Sequence, residues 1–344
     1  MRLRKPFILL AAACFLGGIA IAQGPRRDVG KGLPPADPPP APAAKSPAAP
    51  PAPPVDADLV MFNVVVENKN GVPIRGLQKE QFKLFDGNVE QNITHFVSTD
   101  APLTVAVAIE FSQVVYSVDN VLAPTAALVD SLGPEDWAAL VSFDVRTNIV
   151  TDFTRNRAEL LAGLQSLDRP VYREAALFDV VYDTLDRMEN IDGRKALFVL
   201  GTGFDSISEH TLSQTLKKAE SSDTMVYAVS MGQLTRIRLE GTGRIGFGNS
   251  IDYLAADNNM RQFAEATGGV VFFPRVPQDY PGIYGKLIQD LHSQYSIGFV
   301  PKNLKKDGKL HKLRVEVEDQ DLDRDGRLDG LTARHKKGYN APKR

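Results

Sequence analysis

The densest cluster of chemistry-bearing side chains is Asp319-Gln320-Asp321-Leu322-Asp323-Arg324-Asp325-Gly326-Arg327-Leu328-Asp329. Carboxylates at alternate positions followed by Gly have the spacing of a Ca²⁺ loop. Asp321, Asp323 and Asp325 take its first ligand positions, Gly326 the sharp turn, and Asp329 a further ligand position. An EF-hand would close with a bidentate Glu where this chain has Thr332, and the flanks read as strands rather than helices. The spacing therefore predicts a Ca²⁺-clamped hairpin loop on Asp321, Asp323, Asp325 and Asp329. The competing reading is a solvated acidic turn balanced by Arg324 and Arg327. Without an ion the close carboxylates repel one another, which favours the metal.

Other chemistries leave little trace. There is no Gly-x-Ser-x-Gly, no HExxH, and no close pair among His95, His210, His292, His311 and His335. The single cysteine, Cys14, excludes an internal disulfide and a Cys-ligated zinc site. Asp183 and Asp186 sit on what reads as a solvated helix face. The chain is read as non-enzymatic. Its formal net charge of −2 offers no basic excess for nucleic acid.

The elements that position these residues begin with an export signal. Arg2, Arg4 and Lys5 precede an uncharged apolar run, Phe7 to Ala22, ending in Ala20-Ile21-Ala22, a small-x-small cleavage site. The run is short for a membrane span. Residues 1–22 read as a cleaved leader, an uncleaved anchor being the alternative; a lipoprotein reading through Cys14 fits poorly. Cleavage shifts the net charge from −2 to −5 and leaves no cysteine. The product would be exported, periplasmic or at the cell surface, with no transmembrane span after cleavage. Residues 23–56 hold 12 of the 23 prolines, interleaved with Ala. Such a segment prefers extended polyproline II and builds no core, so it reads as a spacer, or as a PxxP-type ligand.

Residues 57–100 read as a small β-unit, with strands at Asp58–Glu67, Gln81–Gly87 and Ile93–Val97 separated by Asn-Gly and Asp-Gly turn signals. From residue 101 to 293 apolar strands alternate with helices. Strands are expected at Thr104–Ile109, Trp137–Phe143, Ala196–Leu200, Met225–Val229 and Val270–Phe273, with a hairpin partner at Thr147–Phe153. Helices are expected at Val114–Leu132, Asn156–Leu167, Ala175–Met188, Leu212–Ser221, Met260–Thr267 and Tyr284–Tyr295. This alternation implies a doubly wound, mostly parallel α/β sheet. Binding sites in such sheets lie at the carboxyl ends of the strands. The stretch Gly232–Asn259, with its run Gly241-Thr242-Gly243-Arg244-Ile245-Gly246-Phe247-Gly248, lacks the Lys-Ser/Thr of a phosphate loop and reads as a mobile surface loop. Residues 294–341 return to strands, at Tyr295–Val300, Lys312–Val317 and Leu331–His335. They are expected to pair with the N-terminal β-unit, so that one small β domain is built from both ends.

Several segments carry a family resemblance. They are Gly71-Val72-Pro73-Ile74-Arg75-Gly76-Leu77 with Phe82-Lys83-Leu84-Phe85-Asp86-Gly87, Ala108-Ile109-Glu110-Phe111-Ser112, Ala176-Leu177-Phe178-Asp179, Gln294-Tyr295-Ser296-Ile297-Gly298-Phe299, and Arg334-His335-Lys336-Lys337-Gly338-Tyr339. In these and in element order the chain resembles a von Willebrand factor type A domain, and more closely the VWFA-related domain proteins of the acidobacterial type. The resemblance implies a type A, Rossmann-like fold. It also implies a Mg²⁺ site at the top of the sheet, built from Asp-x-Ser-x-Ser, a Thr and an Asp. Here Glu110 replaces the first Asp, Val114 the second Ser, Ala175 the Thr and Thr202 the last Asp; only Ser112 is kept. The extra methylene of Glu110 would push its carboxylate into the ion position. A standard Mg²⁺ site is therefore not expected, and a rearranged one would need Glu110, Ser112, Glu174 and Asp205. The partner-binding face is placed on Glu110, Ser112, Glu174, Thr202 and Asp205. The function implied is an exported protein-interaction module acting on a protein ligand in adhesion or envelope assembly. The alternative is a structural calcium-binding envelope protein whose type A fold is only a scaffold.

Overall fold

The computed structural model describes residues 59–113, 115, 118–241, 250–302, 307–319, 328 and 330–341. The leader and most of the linker lie outside these residues, as do Asp321, Asp323, Asp325 and Asp329.

Five strands come first: β1 (Val60–Glu67), β2 (Pro73–Ile74), β3 (Phe82–Asp86), β4 (Val89–Gln91) and β5 (Ile93–Val97). The α/β region follows with β6 (Leu103–Glu110), α1 (Val118–Ser131), β7 (Trp137–Phe143), β8 (Thr147–Thr154), α2 (Arg157–Gln165), α3 (Leu177–Met188) and β9 (Arg194–Gly201). It continues through α4 (Leu212–Ser221), β10 (Met225–Ser230), α5 (Gly232–Gly241), α6 (Ser250–Thr267), β11 (Val271–Phe272) and α7 (Tyr280–His292). The chain closes with β12 (Gln294–Phe299), β13 (Leu310–Val317), β14 (Thr332–His335) and β15 (Gly338–Asn340).

The six-stranded sheet runs β11-β10-β9-β6-β7-β8. Every pairing is parallel except that of β7 with β8, the edge hairpin. All eight residues of β6 and of β9 are buried, which is why both read as continuous rather than alternating apolar strands. One face packs under α1, α2 and α7 through Leu128, Leu160, Leu164, Leu287 and Leu291. The other packs under α3, α4 and α6 through Leu177, Val181, Leu185, Ala219 and Phe263. Helix starts follow local chemistry. Asn156 accepts from Ala158 N and Glu159 N to cap α2, and Thr211 with Gln214 forms a capping box on α4.

The two ends of the chain do build one β-unit of two sheets, ordered β14-β1-β12-β5 and β15-β13-β3-β4, with β2 beside β1. Phe62, Val64, Tyr295, Ile297, Phe299, Leu84 and Val315 fill the space between them. The unit is riveted to the α/β region by buried polar groups. Asn63 Nδ2 donates to Lys195 O (2.9 Å) and Asp223 O (3.0 Å), and Lys195 Nζ pairs with Asp223 Oδ1 at 2.7 Å. Arg334 pairs with Asp290 Oδ2 at 2.6 Å and Glu67 Oε1 at 3.2 Å, and donates to Gly268 O. Burial pushes the Asp290 carboxyl upward against the pull of Arg334. Lys336 Nζ donates to Ser222 O (3.0 Å) and Glu220 O (3.4 Å), two carbonyls at the end of α4. Burial lowers its pKa to about 8. Gly268, at φ +81°, ends α6 so close to the β14–β15 turn that a Cβ would lie 2.4 Å from the carbonyl carbon of His335. The segment Arg334 to Tyr339 is therefore a structural clasp, closed by Tyr339 Oη donating to Asp86 Oδ2 at 2.9 Å.

Three sequence expectations change. Gly232–Asn259 is not a loop: α5 and α6 occupy its described residues, and α6 starts ten residues before the expected Met260. Tyr295 is not on the last helix. It lies in β12, fully buried, where its hydroxyl donates to Ile74 O and accepts from Leu77 N. Finally, β13 and β14 do not pair with each other; they belong to different sheets, so the two flanks of the acidic stretch are not strand partners.

Candidate functional site

Strands β6, β9 and β10 end side by side, with Ile109 level with Leu200 and Gly201 level with Ser230. Glu110 is the last residue of β6. Its carboxylate turns inward and is only 2% exposed. Ser112 Oγ donates to Oε1 at 2.6 Å; Thr202 N and Thr202 Oγ1 donate to Oε2 at 2.6 and 2.7 Å. Burial pushes the Glu110 carboxyl upward, opposed by these three donors. Room for the long side chain comes from Gly201, where a Cβ would sit 2.8 Å from Oε2. The neighbouring end of β10 is sealed in the same way. Ser230 Oγ donates to Asp257 Oδ1 (2.7 Å), whose other oxygen accepts from Gln233 Nε2 (2.7 Å).

This centre does not fit Mg²⁺. Such an ion needs near-octahedral oxygen ligands at about 2.0–2.1 Å and keeps several waters. Both Glu110 oxygens already accept hydrogen bonds within a closed pocket. Thr202 Oγ1 spends its proton on that carboxylate, and Ala175 has no oxygen to add. The other two residues of the proposed rearranged set lie elsewhere. Glu174 is exposed. Asp205 caps α3 from across the loop, accepting from Phe178 N at 3.0 Å. The structure brings together Glu110, Ser112 and Thr202; it does not bring Glu174 or Asp205 to them.

The loop 202–211 is bound to α3 from both sides. Asp179 accepts from Glu209 N (2.9 Å), His210 N (2.8 Å) and His210 Nδ1 (2.8 Å). The His210 ring stacks on Tyr182, centroids 3.9 Å apart. Asp183, read from sequence as solvated, is half-buried; burial and the nearby Asp179 raise its pKa to about 6. Ser206 N donates to Ala175 O (2.9 Å), tying this loop to the loop before α3.

That second loop carries the feature sequence reasoning missed. Val171 is 70% exposed and Tyr172 41% exposed. Gln113, just after the Glu110 strand, holds both in place: its N donates to Tyr172 O (2.7 Å) and its Nε2 to Val171 O (2.8 Å). Ile207 on the joined loop is 51% exposed. An apolar pair inside a charged stretch, Arg169-Pro170-Val171-Tyr172-Arg173, was the only available signal. At the other candidate site, Asp319 Oδ1 accepts from Gly330 N (2.9 Å) and Leu331 N (3.2 Å), which ties together the residues flanking the acidic stretch. Among the described residues no group of three or more His, Cys, Asp or Glu could hold a metal ion, and no helix is long and apolar enough to cross a membrane.

No protein-family model matches the sequence, and no curated protein matches it. Among solved structures the chain is similar to the conserved hypothetical protein BatB from Bacteroides thetaiotaomicron, with 13% identity, TM-score 0.40, and coverage of 54% of this chain and 97% of that one. It is similar to the vWF domain of the type V pili tip protein Mfa5 from Porphyromonas gingivalis, with 10% identity, TM-score 0.41, and coverage of 55% and 94%. A von Willebrand factor type A protein from Catenulispora acidiphila matches over 83% of this chain and 73% of that one, with 12% identity and TM-score 0.42. The fold assignment rests on this chain's own strand order and its antiparallel edge hairpin.

Proposed function

We propose that the chain is an exported, non-enzymatic protein-interaction module on a type A-like scaffold, whose upper face takes a protein partner without a metal ion. The observation that supports it most is the sealed Glu110 carboxylate at the point where a type A domain is expected to hold its ion. A carboxylate closed in this way has no free coordination position to offer a ligand. It is also almost wholly withdrawn from solvent, which leaves it little access to act as an acid or base. Two loops joined by a backbone hydrogen bond expose the apolar side chains Val171, Tyr172 and Ile207. Exposed aromatic and apolar side chains on a rigid support are the usual anchors of protein recognition. Adhesion or envelope assembly is the role this reading gives an exported chain.

The test is capture of envelope proteins by the purified protein beginning at Gln23, with and without EDTA. The expected result is a captured protein whose retention ignores EDTA and falls at least about tenfold with Tyr172→Ala or Val171→Asp at unchanged melting temperature. Capture that needs Mg²⁺, or that survives both variants, overturns the proposal.

A further inference from the structure

The chain contains one Asn-x-Ser/Thr triplet, Asn92-Ile93-Thr94, with the acidic Glu90 two residues before it. In an exported chain such a triplet is an acceptor for glycan, provided that it is exposed. Asn92 is the single residue between β4 and β5. Its flanking residues Gln91 and Ile93 are buried at 5% and 8% exposure, so alternation turns Asn92 outward, and it is exposed. Its side-chain amide has no hydrogen-bond partner among the described residues.

The topology adds two observations. First, among the described residues β4 and β5 are each the last strand of their sheet, so Asn92 stands at the corner of two sheet edges, with Lys302 Nζ donating to Glu90 O (2.9 Å) on the β4 side. Open edges template unwanted pairing, and a bulky hydrophilic group at this corner would shield both. Second, β4 pairs with β3 immediately upstream, whereas β5 pairs with β12. Thr94 Oγ1 donates to the carbonyl of Gly298 (3.2 Å), 204 residues further along. Its hydroxyl also lies 3.0 Å from the adjacent His95 Nδ1, so until that carbonyl has left the translocation pore the triplet lacks its strand partner and the hydroxyl has only this local contact.

We propose that Asn92 is an N-glycosylation site, modified while the chain is being exported. The donor class is an oligosaccharide linked to a polyprenyl pyrophosphate, transferred by a membrane oligosaccharyltransferase. The bond between the sugar's anomeric carbon and the pyrophosphate oxygen breaks. A bond from that carbon to Asn92 Nδ2 forms, the amide proton passes to a base of the transferase, and the polyprenyl pyrophosphate leaves. Once β5 closes on β12, the Thr94 hydroxyl is engaged and the site becomes a poor acceptor.

The experiment expresses the full chain in a bacterium whose envelope carries such a transferase and its lipid-linked donor. Removal of the leader at Ala22 is scored first on the same sample, so a failure of export is read separately from a failure of modification. The expected exported protein is heavier by one oligosaccharide mapped to Asn92. The addition is lost in Asn92→Gln and Thr94→Val and kept in Thr94→Ser, which preserves the hydroxyl. An exported, leader-free chain of unmodified mass overturns the proposal, as does a glycan that persists in Asn92→Gln. With purified transferase and donor, the folded protein should be modified about tenfold more slowly than the urea-unfolded chain. Equal rates would overturn modification during export.

Discussion

Replacing Glu110 tests whether a buried carboxyl holds the upper end of the sheet. Glu110→Ala removes the acceptor of three donors, Ser112 Oγ, Thr202 N and Thr202 Oγ1. The two hydroxyls can turn, but the Thr202 N–H cannot, and one stranded buried donor costs about 1–3 kcal/mol. The space left by a methylene and a carboxyl adds a cavity contribution, bringing the expected loss to about 3–5 kcal/mol. At about 2–4 °C per kcal/mol for a domain of this size class, the melting temperature should fall by roughly 6–20 °C. Glu110→Gln keeps an acceptor for Thr202 and offers an amide to Ser112, so its loss should stay within about 1 kcal/mol at acid pH. The two forms separate as pH rises. The folded carboxyl titrates above its ordinary value of 4.5 because it is desolvated, so over that interval the native protein holds a proton that the unfolded chain has lost. Wild-type stability should therefore be greatest at acid pH and fall relative to Glu110→Gln as pH rises through the folded pKa. Urea denaturation at several pH values measures this. A wild-type advantage that grows with pH would mean that the donors outweigh burial and hold an ionised carboxylate, and the reasoning would fail.

Three further outcomes are expected. Arg334→Met strands the buried Asp290 carboxylate and should cost about 3–5 kcal/mol in urea, with the double variant Arg334→Met/Asp290→Asn losing less than the sum of its parts. Lys336 releases its proton near pH 8 when folded and near 10.5 when unfolded; in that window the unfolded chain binds more protons, so wild-type stability should rise with pH relative to Lys336→Met. Calorimetric titration of EDTA-stripped protein from Gln23 should give one Ca²⁺ site, lost in Asp323→Asn/Asp325→Asn, and no Mg²⁺ site; tight Mg²⁺ binding would contradict the closed Glu110 centre.

The α/β order was legible because buried parallel strands leave an unmistakable mark. The central residues of β6 and β9, Val105–Ile109 and Ala196–Leu200, are apolar on both faces, as a sheet covered on both sides requires. The joining of the chain's two ends was legible only as symmetry of composition. Its cause, antiparallel pairing of Val60 with Phe299 and Val64 with Tyr295, lies in contacts between residues more than two hundred positions apart. The α5–α6 region was misread because its glycines suggested a loop, while the periodicity of α6 around Tyr253, Ala256, Met260, Phe263 and Ala264 started upstream of the expected helix. At the upper site, the family resemblance singled out Glu110, Ala175 and Thr202 as the positions that differ from a type A metal-binding pattern. It did not announce that Gly201 leaves room for the longer acid, or that Thr202 supplies both of its donors to one oxygen.

Glu110, Gly201 and Thr202 form one coupled set. An Asp at the end of β6 would not reach Thr202 as Glu110 does, and an Asp in place of Thr202 would bring a second carboxylate against a buried one, an unfavourable pair. A side chain on Gly201 would collide with the Glu110 carboxyl. Changing any one of these positions alone should therefore destabilise the top of the sheet, because each residue is shaped to the others. Gly201→Ala should cost about 1–3 kcal/mol in the Glu110 background and less in the shorter Glu110→Asp background. Equal losses in the two backgrounds, read by urea denaturation, would show that Gly201 serves the strand and not the acid.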